Sequence, residues 1–139
     1  MKILFVQHSC FVVEIGNKVL IFDWFDKNRI ENCAFAGVMP QFSRDKDIYL
    51  FASHKHQDHF DLNALKWIEK YPDMHFVLSK DIKLGANYLK RNGIREDIKN
   101  YITFVKPLMK YEVGDLKIKT LASTDAGVAF LVEADGQTI

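Results

Sequence analysis

The sequence predicts an α/β (α+β) layered fold built around β-sheets, and three observations point to it. Short apolar runs bounded by turn residues recur along the chain. Helix-compatible stretches interrupt them. The run 48–53, "IYLFAS", is apolar on both faces, as a central strand covered on both sides must be. The 139 residues suit a single domain, and with 48% of them apolar and 13% aromatic there is material for a core.

The chain opens with three expected strands, 2–6, 10–15 and 18–24, the last two joined by Gly16-Asn17 as a hairpin turn. Residues 25–43 follow as a long connection without a clear period. Its Phe25, Phe35 and Phe42 either cover a site as a lid or pack into the core, and core packing is the favoured reading. After strand 48–53, a helix is expected at about 61–71. Asp61 caps its first turn, Leu62, Leu65 and Ile68 share one side, and Pro72 stops it. A strand at 74–79, a helix at about 80–92 closed by Gly93, and a meander of 101–105, 109–113 and 115–122 come next. In "DLKIKTLA" lysines alternate with Leu116 and Ile118, so one side of that strand faces water. The last strand, 127–134, runs into Asp135-Gly136, a strong type I′ hairpin signal with only three residues after it. A return strand that short leaves an open edge. We therefore expect either a continuing polypeptide or another chain to supply the next strand, and self-association where neither does.

Charge and composition exclude several classes. The net charge of +1 calls for no polyanionic partner, and Lys80, Lys83, Lys90, Arg91, Arg95 and Lys99 are mixed with Asp81, Glu96 and Asp97, as on a solvated helix face rather than a nucleic-acid groove. Cys10 and Cys33 lack metal-site or redox-motif spacing and read as reduced thiols. No leader peptide and no run long enough to span a membrane is evident, which makes the cytoplasm the expected compartment.

One stretch concentrates chemistry. "FASHKHQDHF", residues 51–60, holds three of the five histidines and an aspartate within six positions. In an extended segment, side chains two apart point the same way, so His54 and His56 can grip one cation. The bend into the following helix turns Asp58 and His59 toward a neighbouring one. Imidazole and carboxylate suit zinc, and manganese or iron use similar ligands. The N-terminus of that helix is expected to favour an anionic substrate group.

The motif His54-Lys55-His56-Gln57-Asp58-His59 resembles the signature of the metallo-β-lactamase superfamily, and "QHSCFVVEIGNKVLIFDWF" resembles the opening hairpin of its lactonase-like branch. The resemblance implies half of an αββα sandwich over residues 1–139, with a mixed, mostly antiparallel sheet and helices on one face. It implies metal ligands at His54, His56, Asp58 and His59. Asp23 would orient a metal-bound histidine rather than bind metal itself. His8 stands either at the mouth of the site or as a capped histidine at a strand end. The family's further histidine for the first metal has no counterpart in "TLASTDAGVAF", which offers Ser123, Thr124 and Asp125. Asp125 is an oxygen ligand or, the favoured reading, a turn residue before Gly127. The resemblance places a bridging aspartate and a last histidine beyond Ile139.

Its functional implication is a hydrolase in which a metal, zinc first, lowers the pKa of bound water toward ~7 for attack on a lactone, thioester, ester, amide or phosphodiester. Asp58 would hold metal and orient the nucleophile on a small-molecule substrate. The alternative is a catalytically incomplete metal-binding or interaction protein that needs a C-terminal half or partner chain.

Overall fold

The computed structural model describes residues 1–31 and 35–139, and in them ten strands form two sheets. The first has six strands in spatial order β1 (Lys2–Gln7), β2 (Cys10–Ile15), β3 (Lys18–Phe22), β4 (Asp47–Ala52), β5 (His75–Ser79) and β6 (Ile102–Val105). The tight turns after β1 and β2 make β1–β3 antiparallel, and Gly16 takes φ +55° in the second of them. The longer connections that follow cross over, so β3, β4, β5 and β6 run parallel. The second sheet is antiparallel, in order β10-β9-β8-β7, from β7 (Lys110–Val113), β8 (Leu116–Ala122), β9 (Val128–Ala134) and β10 (Gln137–Thr138).

The two faces of the first sheet bury against different things. On one, Val19, Ile21, Leu50 and Ala52 pack with Leu65 and Ile68 of a 3₁₀ helix (Leu62–Glu69), Leu89 of α1 (Ala86–Arg91) and Ile98. On the other, Leu20, Tyr49, Phe51 and Val77 meet Val113, Leu116, Ile118, Val128 and Val132 of the second sheet. Strand β4 alternates between these two cores, which is why its sequence is apolar on both faces. Helices therefore lie on one face only, giving three of the four layers of an αββα sandwich. Phe25 is fully buried, Phe42 packs against the helix-side core, and Phe35 is exposed and stacked on Phe5.

Three elements differ from expectation. The helix at 61–71 is a 3₁₀ helix, although its cap and buried side are as expected. The helix at 80–92 is confined to Ala86–Arg91, because Ile82 and Leu84 are both buried and a spacing of two needs a non-helical path. Residues 102–105 do not join the meander. They add to the first sheet beside β5, in register Phe76↔Ile102, and the chain crosses to the second sheet at Pro107-Leu108, where Leu108 takes φ +59°. The Asp135-Gly136 turn has φ +48° and +75°, as a type I′ turn requires, and Ile139 continues the pairing with Val132 in both directions at 2.8 Å. Strand β10 stands at the edge of its sheet. Among the described residues, no helix is long and apolar enough to cross a membrane.

Asp61 fixes the connection that follows β3. Its buried carboxylate accepts from Asn63 N at 2.9 Å, Asp26 N at 2.9 Å and the Arg29 guanidinium at 2.9 Å. It therefore caps the 3₁₀ helix and anchors Asp26–Arg29 to it. We expect Asp61→Ala to cost about 2–3 kcal/mol, above the ~1 kcal/mol of a lone cap because buried donors lose their acceptor. Urea unfolding with an unchanged m value would measure it.

Candidate metal centre

The site forms at the end of the first sheet where the neighbouring strands β3 and β4 terminate. Four backbone features bring its parts together. Strand β4 ends at Ala52 and the chain turns sharply through residues 53–59, with His59 N and Phe60 N both donating to His56 O. After β3, Asp23 adopts a left-handed φ of +50° while its N–H donates to Phe51 O at 2.9 Å. His8, in the β1–β2 turn, is also left-handed, at +46°. Such conformations cost free energy outside glycine and are held here by the surrounding contacts. Lastly, the β8–β9 loop closes onto the turn: Val128 N donates to Ser53 O at 2.9 Å, and Gly127, at φ +72°, lies so close that a Cβ would sit 2.8 Å from His54 Cβ.

Six side chains result in two adjacent groups. His54, His56 and Asp125 form one, with Asp125 Oδ2 at 3.4 Å from His54 Nε2 and 3.5 Å from His56 Nδ1. His8, Asp58 and His59 form the other, with Asp58 Oδ2 at 3.0 Å from His8 Nε2 and 3.7 Å from His59 Nε2. In each group the donor atoms lie within 4.8 Å of one another. The groups touch through the His54 and His59 rings, whose centroids are 4.0 Å apart.

The structure thus brings His54, His56, Asp58 and His59 to one place and divides them as the spacing suggests. Asp125 lies in the bend before Gly127, and its carboxylate faces the first pair. His8 lies at the site, hydrogen-bonded to Asp58. Asp23 stands behind the groups. Its carboxylate accepts from Ser53 N and Ser53 Oγ, both at 2.7 Å, and from His59 Nδ1 at 2.8 Å. The helix N-terminus expected to favour an anionic substrate group carries the Asp61 carboxylate as its cap, which offsets its positive end. Two residues went unread in the sequence. Ser53 contacts His54 Nδ1 at 2.9 Å, and Ser9 Oγ lies 3.1 Å from His59 Nδ1. Hydroxyls next to His54 and His8 were the only sequence signal for them. His75 is remote from the cluster and stacks on Tyr49. Cys10 is buried, and burial with the nearby Asp23 charge pushes its thiol up to about 12. Cys33 lies outside the described residues.

The electrostatics separate the two groups. Burial, then the His59 and His56 charges, lower the His54 pKa, keeping that ring neutral. The hydrogen bond to Asp23 raises His59 against the opposing effect of burial. Burial pushes Asp58 up, but its own backbone amide, His59 and His8 outweigh this and hold the carboxyl below its ordinary value.

These residues fit a divalent cation on one direct observation. His54 Nε2 is buried yet has no hydrogen-bond partner among the described residues, a costly arrangement unless its lone pair has another use. Neutral imidazole nitrogen beside carboxylate oxygen is the donor chemistry such an ion takes. The site opens into a hollow of about 420 Å³, where Asp23, His54, His59 and Asp125 face Phe11, Phe22, Val128, Phe130 and Ile139.

Comparison with known proteins identifies the fold and the family. Two structures of CmlA are similar to the chain. One is titled as a diiron β-hydroxylase from Streptomyces venezuelae (17% identity, TM-score 0.59, covering 96% of this chain and 27% of that one). The other is the E377D mutant of the CmlA β-hydroxylase (18% identity, TM-score 0.56, 93% and 27%). A protein of unknown function from Enterococcus faecalis V583 is similar over 96% of this chain and 39% of its own (13% identity, TM-score 0.54). At these identities the likeness shows the fold, and the chain spans about a quarter to two fifths of those proteins. No curated protein sequence matches it. The model of the β-lactamase superfamily domain matches residues 2–139, and the chain belongs to that family.

Proposed function

We propose that this chain carries the metal-binding portion of a hydrolase acting on a small molecule with an ester, lactone, amide or phosphodiester bond. The observation that carries the reading is the pair of adjacent donor groups, one of them containing the buried His54 Nε2, which makes no hydrogen bond among the described residues. His54, His56 and Asp125 would hold one cation, and His8, Asp58 and His59 a second, zinc being the first choice and manganese or iron the others. A cation bound there supplies Lewis acidity and makes water more acidic.

The chain's own residues supply the rest. Asp58, kept ionised by its own backbone amide, His59 and His8, would hold a cation and orient the nucleophile, with His8, half-exposed and 3.0 Å away, fixing the carboxylate. Phe11, Phe22 and Phe130 give the hollow an apolar wall that excludes water from a bound substrate. A hollow of about 420 Å³ suits a small molecule. Strand β10 can take a further strand, from this polypeptide or a second chain. We place the protein in the cytoplasm, where Cys10 stays a free thiol.

Two observations favour other readings. The chain spans 27–39% of its structural neighbours, which supports a metal-binding unit that needs further chain for turnover. The set of two histidines and a carboxylate at His54, His56 and Asp125 also suits non-haem iron, and CmlA is described as a diiron enzyme. Loading the chain with zinc, manganese or iron, then assaying lactone, ester, amide and phosphodiester hydrolysis beside metal analysis, separates these. Two ions per chain with hydrolysis is the expected result. Tight metal without turnover on any substrate would favour the binding unit, and iron-dependent oxygen consumption would favour oxidation.

A further inference from the structure

The hydrogen bonds behind the two donor groups form one connected chain. Ser53 Oγ lies 2.7 Å from Asp23 Oδ2 and 2.9 Å from His54 Nδ1. A carboxylate only accepts, and a hydroxyl has one proton to give. That proton goes to Asp23, so the hydroxyl must accept from His54 Nδ1–H. The His54 ring then has no proton on Nε2, the buried atom that makes no hydrogen bond among the described residues. The same reasoning holds at His59. Its Nδ1 is 2.8 Å from the same Asp23 oxygen and donates to it, so in the neutral ring Nε2, on the Asp58 side, carries no proton. Ser9 does not disturb this, because its hydroxyl has the Asp58 carbonyl oxygen as an acceptor at 3.4 Å.

We infer that Ser53 is a positioning residue that extends the reach of Asp23 to His54, so that one carboxylate sets the proton on a histidine of each donor group. The inference rests on the metal reading above and adds to it a coupling between the two groups. The placement is rigid. Ser53 N also donates to Asp23 Oδ1 at 2.7 Å, so the serine grips both carboxylate oxygens, and its carbonyl is tied to Val128 N. Without the hydroxyl, His54 Nδ1 would lose its acceptor and the ring its preferred proton position. Loss of such an outer contact lowers metal affinity by about 10–100-fold.

Nitrogen-15 NMR of the imidazoles in the metal-free chain tests this directly, with zinc calorimetry beside it. In the wild type, His54 and His59 should both carry the proton on Nδ1. Ser53→Ala should move the His54 proton toward Nε2, leave His59 unchanged, and weaken one of two zinc-binding steps by about 10–100-fold. Ser53→Thr, which keeps the hydroxyl, should restore both readouts, whereas Asp23→Asn should weaken both steps. An Nε2 proton on wild-type His54 would overturn the inference. So would a Ser53→Ala protein with an unchanged His54 tautomer, or one whose two zinc steps weaken equally. If Ser53→Ala does not fold, the wild-type and Ser53→Thr spectra decide. The tautomer is read without metal or substrate, so failure to hydrolyse anything would leave this result standing.

Discussion

Gly127→Ala should destabilise the protein by about 3–4 kcal/mol and disorganise the His54, His56 and Asp125 group, although position 127 carries no chemistry. Two costs add. The residue sits at φ +72°, where an L side chain is strained by about 1–2 kcal/mol. The new methyl would also overlap the Ser53 carbonyl oxygen and lie 3.0 Å from the Ser53 carbonyl carbon, so backbone rather than a flexible side chain must move. Moving it breaks the Val128 N to Ser53 O bond that pins the β8–β9 loop to the end of β4. Asp125 lies on that loop and reaches His54 and His56 only because the loop is pinned. Urea unfolding would report the stability loss. Zinc calorimetry on the fraction still folded would report one binding step in place of two. A variant with wild-type stability and both steps would mean that the loop does not place Asp125.

What the sequence made legible follows from how local each signal was. His54, His56, Asp58 and His59 sit in one short stretch, and strand alternation followed by a bend is enough to divide them. Asp61 as a helix cap and Asp135-Gly136 as a hairpin were equally local, and the structure shows both. Asp125 was harder. Its neighbours in "STDAG" are turn residues, and only the close approach of Gly127 to Ser53, a contact across 74 positions, makes it part of the site. Ser53 was hidden for a related reason, since its role depends on Asp23 arriving from another strand. The same holds for 101–105, whose apolar pattern suits either sheet. Pairing beside β5 is decided by packing of the whole layer, which no short window contains.

Zinc should raise the unfolding free energy of the wild type by about 4 kcal/mol for each site at a free concentration a thousandfold above that site's dissociation constant, and His56→Ala should abolish the increment due to the first group. His56 is the informative member of that group because its side chain is half-exposed, with 49% of its surface in water, whereas that of His54 is buried, with 6%. Replacing His54 removes packing as well as a donor, so its effect on the metal-free protein is mixed. Replacing His56 should leave the metal-free protein within about 0.5 kcal/mol of wild type. A loss confined to the zinc-loaded state then reports ligation and nothing else. The pH dependence adds a second check. In the metal-free protein, His54, with its pKa lowered, contributes stability above the unfolded imidazole value of 6.5 and loses it as pH falls. His59, with its pKa raised, contributes below that value and loses it as pH rises. The two losses lie on opposite sides of 6.5, so metal-free stability should peak near that pH and fall in both directions. Zinc must compete with protons for both rings, so its increment should begin to shrink above 6.5, where His59 gains its proton, and shrink further below 6.5 as His54 follows. Thermal or urea unfolding of both proteins at several pH values measures all of this. An undiminished zinc increment in His56→Ala would remove His56 from the ligand set and, with it, the assignment of the first group.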